Sequence, residues 1–166
     1  MLQRIRTVQP RAVVLTEFAR PPTGGPADTS HPSAPDTDRW VAGLQQVITS
    51  LSPTPVIIVH ALPNWGLNVP QCLAVNLADS TRCSAPVAKA YETPARDAET
   101  LVANQFPANV KLLEMSDYFC GPSRCDPIIG NTLVMFDDHH LTQQFTTLLG
   151  PILAEKLAAE GIGTIH

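Results

Sequence analysis

No stretch of this sequence stays apolar for more than a few residues, well short of the roughly 20 that a bilayer-spanning helix needs, so nothing in it reads as a membrane span. Positive charge is also scarce. The 11 Lys and Arg residues against 15 Asp and Glu leave a net charge of −4, and the basic residues do not cluster. A phosphate backbone would find no electrostatic footprint here, which sets nucleic acid aside as a partner. Residues 1–10 contain Arg4 and Arg6 but neither an apolar h-region nor a small-residue cleavage site, so they do not read as an export signal. From these absences alone the chain is expected to remain in the cytosol.

What is present argues for a globular domain. A chain of 166 residues that is 44% apolar can bury one sizeable core, and residues 1–166 are expected to form a single domain. The four cysteines disagree with a cytosolic address. Cys72 and Cys83 flank a short loop-like stretch, and Cys120 and Cys125 bracket Gly-Pro-Ser-Arg, so each pair is close enough in sequence to close locally. Several connectivities remain open. Buried free thiols are one alternative. Zinc is another, although neither pair has the usual spacing of about two to four residues with histidines placed to complete a tetrahedron. Disulfides in an oxidising compartment are the preferred reading.

Along the chain, residues 11–16 form a short β-branched apolar run after a helix-compatible opening and predict a buried strand. Residues 21–38, dense in Pro, Gly, Ser, Thr and Asp, predict a surface loop. From Asp38, the spacing of Trp40, Val41, Leu44, Val47, Ile48 and Leu51 predicts an amphipathic helix that Pro53 and Pro55 end. Val56–Val59 reads as a second buried strand running into His60. Residues 72–86 read as irregular, 87–106 as a helix interrupted at Pro94, and 110–115 as a third strand. The tail, 142–160, predicts a helix capped by Thr142, with Phe145, Leu148, Leu149, Ile152, Leu153 and Leu157 along it and a kink at Pro151. Alternating strands and helices with connections long enough to cross over imply a parallel α/β sheet. There is no internal repeat.

The strongest chemical signal is Phe136-Asp-Asp-His-His140-Leu-Thr142, immediately before the terminal helix. A carboxylate three residues before a histidine, in a turn entering a helix, can accept from the imidazole Nδ1–H, set the tautomer and leave Nε2 as a base. Asp137 and His140 have that spacing. Two other readings use the same residues: a metal site built from the imidazoles and carboxylates, or a polar helix entrance whose acids answer the helix dipole and do no chemistry.

The order of several segments supplies further context. The Cys120 and Cys125 pair, then Gly130-Asn-Thr-Leu-Val-Met-Phe136, then Asp137-Asp-His-His140-Leu-Thr142 and a helix containing Gly150-Pro-Ile-Leu153, closely resembles the end of the SGNH domain fused to acyltransferase type 3 membrane proteins. Upstream, Pro10-Arg-Ala-Val-Val-Leu15 looks like that family's third strand, the segment from Val56 to Pro63 like its fourth, and Pro70-Gln-Cys72 like the cysteine segment that follows. The resemblance covers nearly the whole chain, and its final block is the specific part. It implies a three-layer, flavodoxin-like parallel α/β fold of the SGNH type, N-terminally incomplete and missing its first strands. It also implies Cys72–Cys83 and Cys120–Cys125 bonds, whose Cα separations should lie within roughly 4.4 to 6.8 Å, and Asp137 and His140 as the acid and base of a catalytic triad.

One departure bears on activity. The family's nucleophile lies in a Gly-Asp-Ser block on its first strand, and no such block occurs here. The nearest string, Ala78-Asp-Ser80, lies between Cys72 and Cys83, where Ser80 reads as loop, because a strand-to-helix elbow is what exposes such an oxygen. The family's oxyanion glycine and its Gly-x-Asn-Asp asparagine are not evident either. Thr16, Arg20, His60 and Asn64 follow predicted strands at the end where ligands collect in open α/β sheets, yet surface roles for Thr16 and Arg20 and a structural role for His60 are the expectation.

The resemblance implies the C-terminal part of a serine esterase or O-acyltransferase domain acting on acyl, chiefly acetyl, esters of cell-envelope glycans or lipids. It would lie on the extracytoplasmic face, partnered by an acyltransferase membrane domain, and use no cofactor or metal. The alternative is a catalytically inactive remnant or binding module of the same fold. The missing first strands would leave the 13–15 strand open to pairing, so a dimer through that edge, or poor solubility, is also expected.

Overall fold

The computed structural model describes residues 2–16, 37–91, 94–137 and 140–162. The expected loop at 21–38 therefore lies almost wholly outside the described residues, as does Arg20. Thr37 and Asp38, the last two residues of that span, already belong to a helix. The chain divides into two compact units, one made of residues 1–61 and 93–113, the other of 62–92 and 114–166.

The first unit is the parallel sheet and its helices. Helix α1 (Leu2–Val8) leads into β1 (Val13–Thr16), followed by α2 (Thr37–Leu51) and β2 (Val56–Val59). After the excursion into the second unit come α5 (Pro94–Gln105) and β4 (Val110–Leu113). The strands lie in the order β1-β2-β4, all parallel, with Val13 opposite Val56 and Val56 opposite Val110. The central strand is Val-Ile-Ile-Val, buried at every position, as expected for a parallel strand covered on both faces. Among the described residues β1 pairs with β2 alone.

Apolar periodicity decides which face of each helix turns inward. On α2, Leu44, Ile48 and Leu51 are buried, with Trp40, Val41 and Val47 packed beside them, so the predicted face is the observed one. These residues join Val56, Ile58, Ala98, Val102 and Val110 in one cluster. Each fully buried Val, Leu or Ile contributes about 1.5–3 kcal/mol, so truncating Ile48 to Ala would cost about 2–5 kcal/mol.

The second unit has less regular structure and is stapled covalently. Its elements are α3 (Val69–Val75), β3 (Ala85–Pro86), α4 (Val87–Ala90), β5 (Arg124–Cys125), β6 (Ile128–Ile129), β7 (Thr132–Leu133) and α6 (Gln143–Ala159). The sequence reading of 72–86 as irregular missed α3 and a 3₁₀ turn at Ser80–Cys83. The local reason for α3 is plain: Asn68 Oδ1 accepts the Gln71 N–H at 3.0 Å, and a proline stands in the first turn, where its lack of an N–H costs nothing. Pro94 likewise opens α5 rather than lying inside a longer helix. Helix α6 continues through Pro151.

Both disulfides are present, Cys72–Cys83 with Cα atoms 5.8 Å apart and Cys120–Cys125 with 4.0 Å. The second separation falls below the expected range. Its cysteines straddle a tight turn in which the Gly121 N–H donates to the Arg124 carbonyl at 2.9 Å, and so short a loop draws the Cα atoms together. Ser84 Oγ donates to Asp126 Oδ1 at 2.6 Å, bracing the β3–β5 pair from the side. The core of this unit includes Phe119 and Phe145, whose rings meet edge-to-face at 5.5 Å.

Candidate functional site

The segment holding Asp137 and His140 is built from both ends. On the upstream side, β6 and β7 form a hairpin whose two-residue turn begins at Gly130 with φ of +61°, a conformation that favours glycine. Val134 then donates to the Pro127 carbonyl at 2.9 Å, and Val134 and Met135 are buried. On the downstream side, Thr142 caps α6: its Oγ1 accepts the Phe145 N–H at 3.1 Å and donates to the Leu133 carbonyl at 2.5 Å. Between these anchors Met135 bridges Leu141, the Thr142 N–H donates to Val134, and the Phe136 N–H donates to the His140 carbonyl at 2.7 Å. Phe136, Asp137 and His140 are therefore held close together above a buried base.

Asp137 grips His140 with both carboxylate oxygens. Oδ1 accepts the His140 backbone N–H at 2.7 Å, and Oδ2 lies 2.7 Å from His140 Nδ1. A carboxylate accepts and does not donate, so the imidazole proton belongs on Nδ1 and Nε2 carries the lone pair. The Asp137 side chain is 26% exposed and that of His140 65% exposed. The Asp137 carbonyl in turn accepts the Val69 N–H at 3.3 Å, which ties the turn to the start of α3. Such a pair can take a proton at Nε2 and hold the resulting imidazolium against a carboxylate. Asp138 and His139 lie outside the described residues, so the expectation that His139 points elsewhere falls there too.

Other residues singled out in the sequence take structural places. Ser80 opens the 3₁₀ turn inside the Cys72–Cys83 loop, where Asp79 caps it by accepting from Thr81 N at 3.1 Å and Thr81 Oγ1 at 2.6 Å. These hydrogen bonds, side chain first, hold the Asp79 carboxyl below its ordinary value, with Arg82 and Arg124 adding a smaller pull. Asn64 Oδ1 accepts the Gly66 N–H at 2.7 Å in a turn. Thr16 is exposed at the end of β1.

His60, in the first unit, is almost fully buried, with Nε2 3.1 Å from the Arg96 carbonyl, 3.4 Å from Thr100 Oγ1 and 3.5 Å from Glu99 Oε2. Sequence reasoning passed over Glu99, which is fully buried and accepts the Ala61 N–H at 2.8 Å, while Arg96 Nη1 donates to the Ala61 carbonyl at 2.9 Å. These groups fasten the exit of β2 to α5. A signal existed: Ala95, Ala98 and Val102 mark the buried stripe of α5, and Glu99 falls on it.

Comparison with known proteins follows the same lines. Residues 1–155 match the family described as the SGNH domain fused to AT3 domains. Among solved structures, the periplasmic domain of a lipopolysaccharide acetyltransferase from Salmonella ser. Paratyphi A superposes with a TM-score of 0.58 at 19% identity, over 98% of this chain and 60% of that one. At that identity the likeness concerns the fold, and the chain spans about 60% of the length of the structure it matches. No curated protein matches the chain. With a family match across nearly its whole length, an α/β fold on a three-stranded parallel sheet and two disulfides, the chain belongs to the SGNH domains of the kind fused to AT3 domains.

Proposed function

We propose that this chain contributes the acid–base half of an extracytoplasmic acyl-transfer or ester-hydrolysis site acting on acetyl or similar small acyl esters of envelope glycans or lipids. The observation that carries this reading is the double hold of Asp137 on His140, which fixes the imidazole proton on Nδ1 and puts the basic lone pair on Nε2. In the reaction, a serine oxygen attacks the acyl carbonyl while His140 Nε2 takes its proton. The tetrahedral intermediate collapses as His140 returns that proton to the leaving alcohol, and the acyl-serine then passes its acyl group to an acceptor hydroxyl or to water. Asp137 keeps the imidazole oriented and stabilises its charged form throughout.

The serine is not carried in a Gly-Asp-Ser block of these 166 residues. Membership of a family fused to AT3 domains makes a membrane acyltransferase domain the proposed partner, and two closed disulfides suit an oxidising compartment. The missing block favours a second reading, a catalytically silent module with the same fold. Hydrolysis of p-nitrophenyl acetate separates the two. The 166-residue chain should be silent, and the same chain joined to a Gly-Asp-Ser segment of its family should turn over ester in a manner abolished by His140→Ala. Turnover that ignores His140, or that falls when Ser80 is replaced in the short chain, would place the chemistry elsewhere.

A further inference from the structure

Phe136 is 70% exposed, while the two residues before it, Val134 and Met135, are buried. The ring does not ride on a loose loop: its own N–H donates to the His140 carbonyl at 2.7 Å, and Met135 bridges Leu141. A phenyl ring left in water forgoes the burial that normally makes aromatics core residues. Here it leaves the same short turn as the Asp137–His140 pair, and both of those side chains are also reachable by solvent. An open site combining one bare aromatic with polar groups suits a ligand that is itself two-faced. A pyranose has C–H groups on one face, which the negative face of a phenyl ring attracts, and hydroxyls around its edge that stay in contact with water and polar side chains. A long acyl chain would need an enclosed apolar slot, which a single exposed ring does not provide.

We infer that Phe136 is the platform on which a sugar ring of the substrate stacks, presenting its ester or acceptor oxygen to His140. The inference rests on the reading of Asp137 and His140 given above and assigns the specificity of that site. Saturation-transfer NMR on the 166-residue chain tests it, with methyl galactopyranoside, methyl rhamnopyranoside and their mono-O-acetyl derivatives as probes and hexanoate as the acyl-chain control. One face of the sugar should receive saturation from the phenyl ring and shift upfield. Phe136→Ala should weaken binding about two- to tenfold, the range of a single aromatic contact, and Phe136→Trp should restore it. Phe136→Leu, apolar but without a π face, should behave like Phe136→Ala. The His140 Nδ1–H resonance reports whether the turn survives in each variant, and a Leu variant with an intact turn and undiminished sugar binding overturns the inference. So does a wild-type chain that binds no sugar, or one in which Phe136 serves hexanoate instead. The two readings fail separately: sugar stacking without His140-dependent ester turnover in the serine-bearing chain defeats the catalytic reading alone, and His140-dependent turnover with sugar binding indifferent to Phe136 defeats the platform alone.

Discussion

Asp137 holds His140 at two atoms, the backbone N–H through Oδ1 and the ring Nδ1 through Oδ2, each at 2.7 Å. The first contact shapes the turn and the second sets the tautomer. Asp137→Asn separates these roles, because the amide oxygen can still accept the backbone N–H while the amide NH2 cannot accept from Nδ1. The imidazole proton should then move to Nε2, visible as exchanged ¹⁵N shifts of the His140 ring. Ester turnover in a serine-bearing chain should fall by about 10²- to 10⁴-fold. An unchanged tautomer would show that Asp137 does not orient the ring.

The disulfides make the second unit sensitive to reduction. Cys72–Cys83 and Cys120–Cys125 close segments with sequence separations of 11 and 5, and loop-closure entropy assigns about 2–3 kcal/mol to each. Replacing Cys72 and Cys83 together by Ser should lower the melting temperature by about 4–12 °C and expose the α3 amides to exchange. Peptide mapping without reductant should recover these two pairs and no cross-linked alternative.

Asp79 contributes stability with a defined pH sense. Its folded carboxyl lies below the ordinary value of 3.8 because it accepts from Thr81 twice. A depressed acid stabilises the fold above its unfolded pKa and loses that contribution as pH falls through the folded value. The loss therefore develops below about pH 3.8. An NMR titration of the Asp79 carboxyl carbon should give a midpoint under that value, and Thr81→Val, which removes the hydroxyl donor, should move the midpoint upward.

Glu99 should matter to the fold rather than to chemistry. Its carboxylate is fully buried, receives the Ala61 N–H and lies beside His60. Glu99→Ala strands that donor and should cost about 1–3 kcal/mol in denaturant unfolding, while Glu99→Gln, which keeps an acceptor oxygen, should cost less. The His140 ring shifts should be the same in both variants.

Much of this was legible from residues alone, for reasons of period and spacing. The face of α2 follows from apolar residues recurring every three or four positions, the burial of Val56–Val59 from an uninterrupted β-branched run, and the Thr142 cap from a hydroxyl three residues ahead of an amide that needs an acceptor. Even the Asp137–His140 contact is nearly local, since three residues of turn suffice to bring carboxylate and imidazole together. Helix α3 was missed because its seven residues carry little periodicity and only one of them, Val69, is buried.

Sequence by itself thus determined the elements whose causes lie within a few residues: the face of α2, the Thr142 cap, the central strand and the spacing that brings Asp137 to His140. The pairing of the four cysteines was open on spacing alone and followed from the family resemblance. Tertiary structure decided whatever depends on groups far apart in the chain. His60 and Glu99 are 39 positions apart, and only the packing of α5 beside the end of β2 makes a histidine at a strand exit a buried fastening instead of an open base. Phe136 shows the converse, an aromatic of a kind usually buried, next in the chain to Asp137, that the fold leaves 70% exposed. In both cases the outcome turns on which surfaces remain uncovered after packing, a property of the whole arrangement that no local pattern contains.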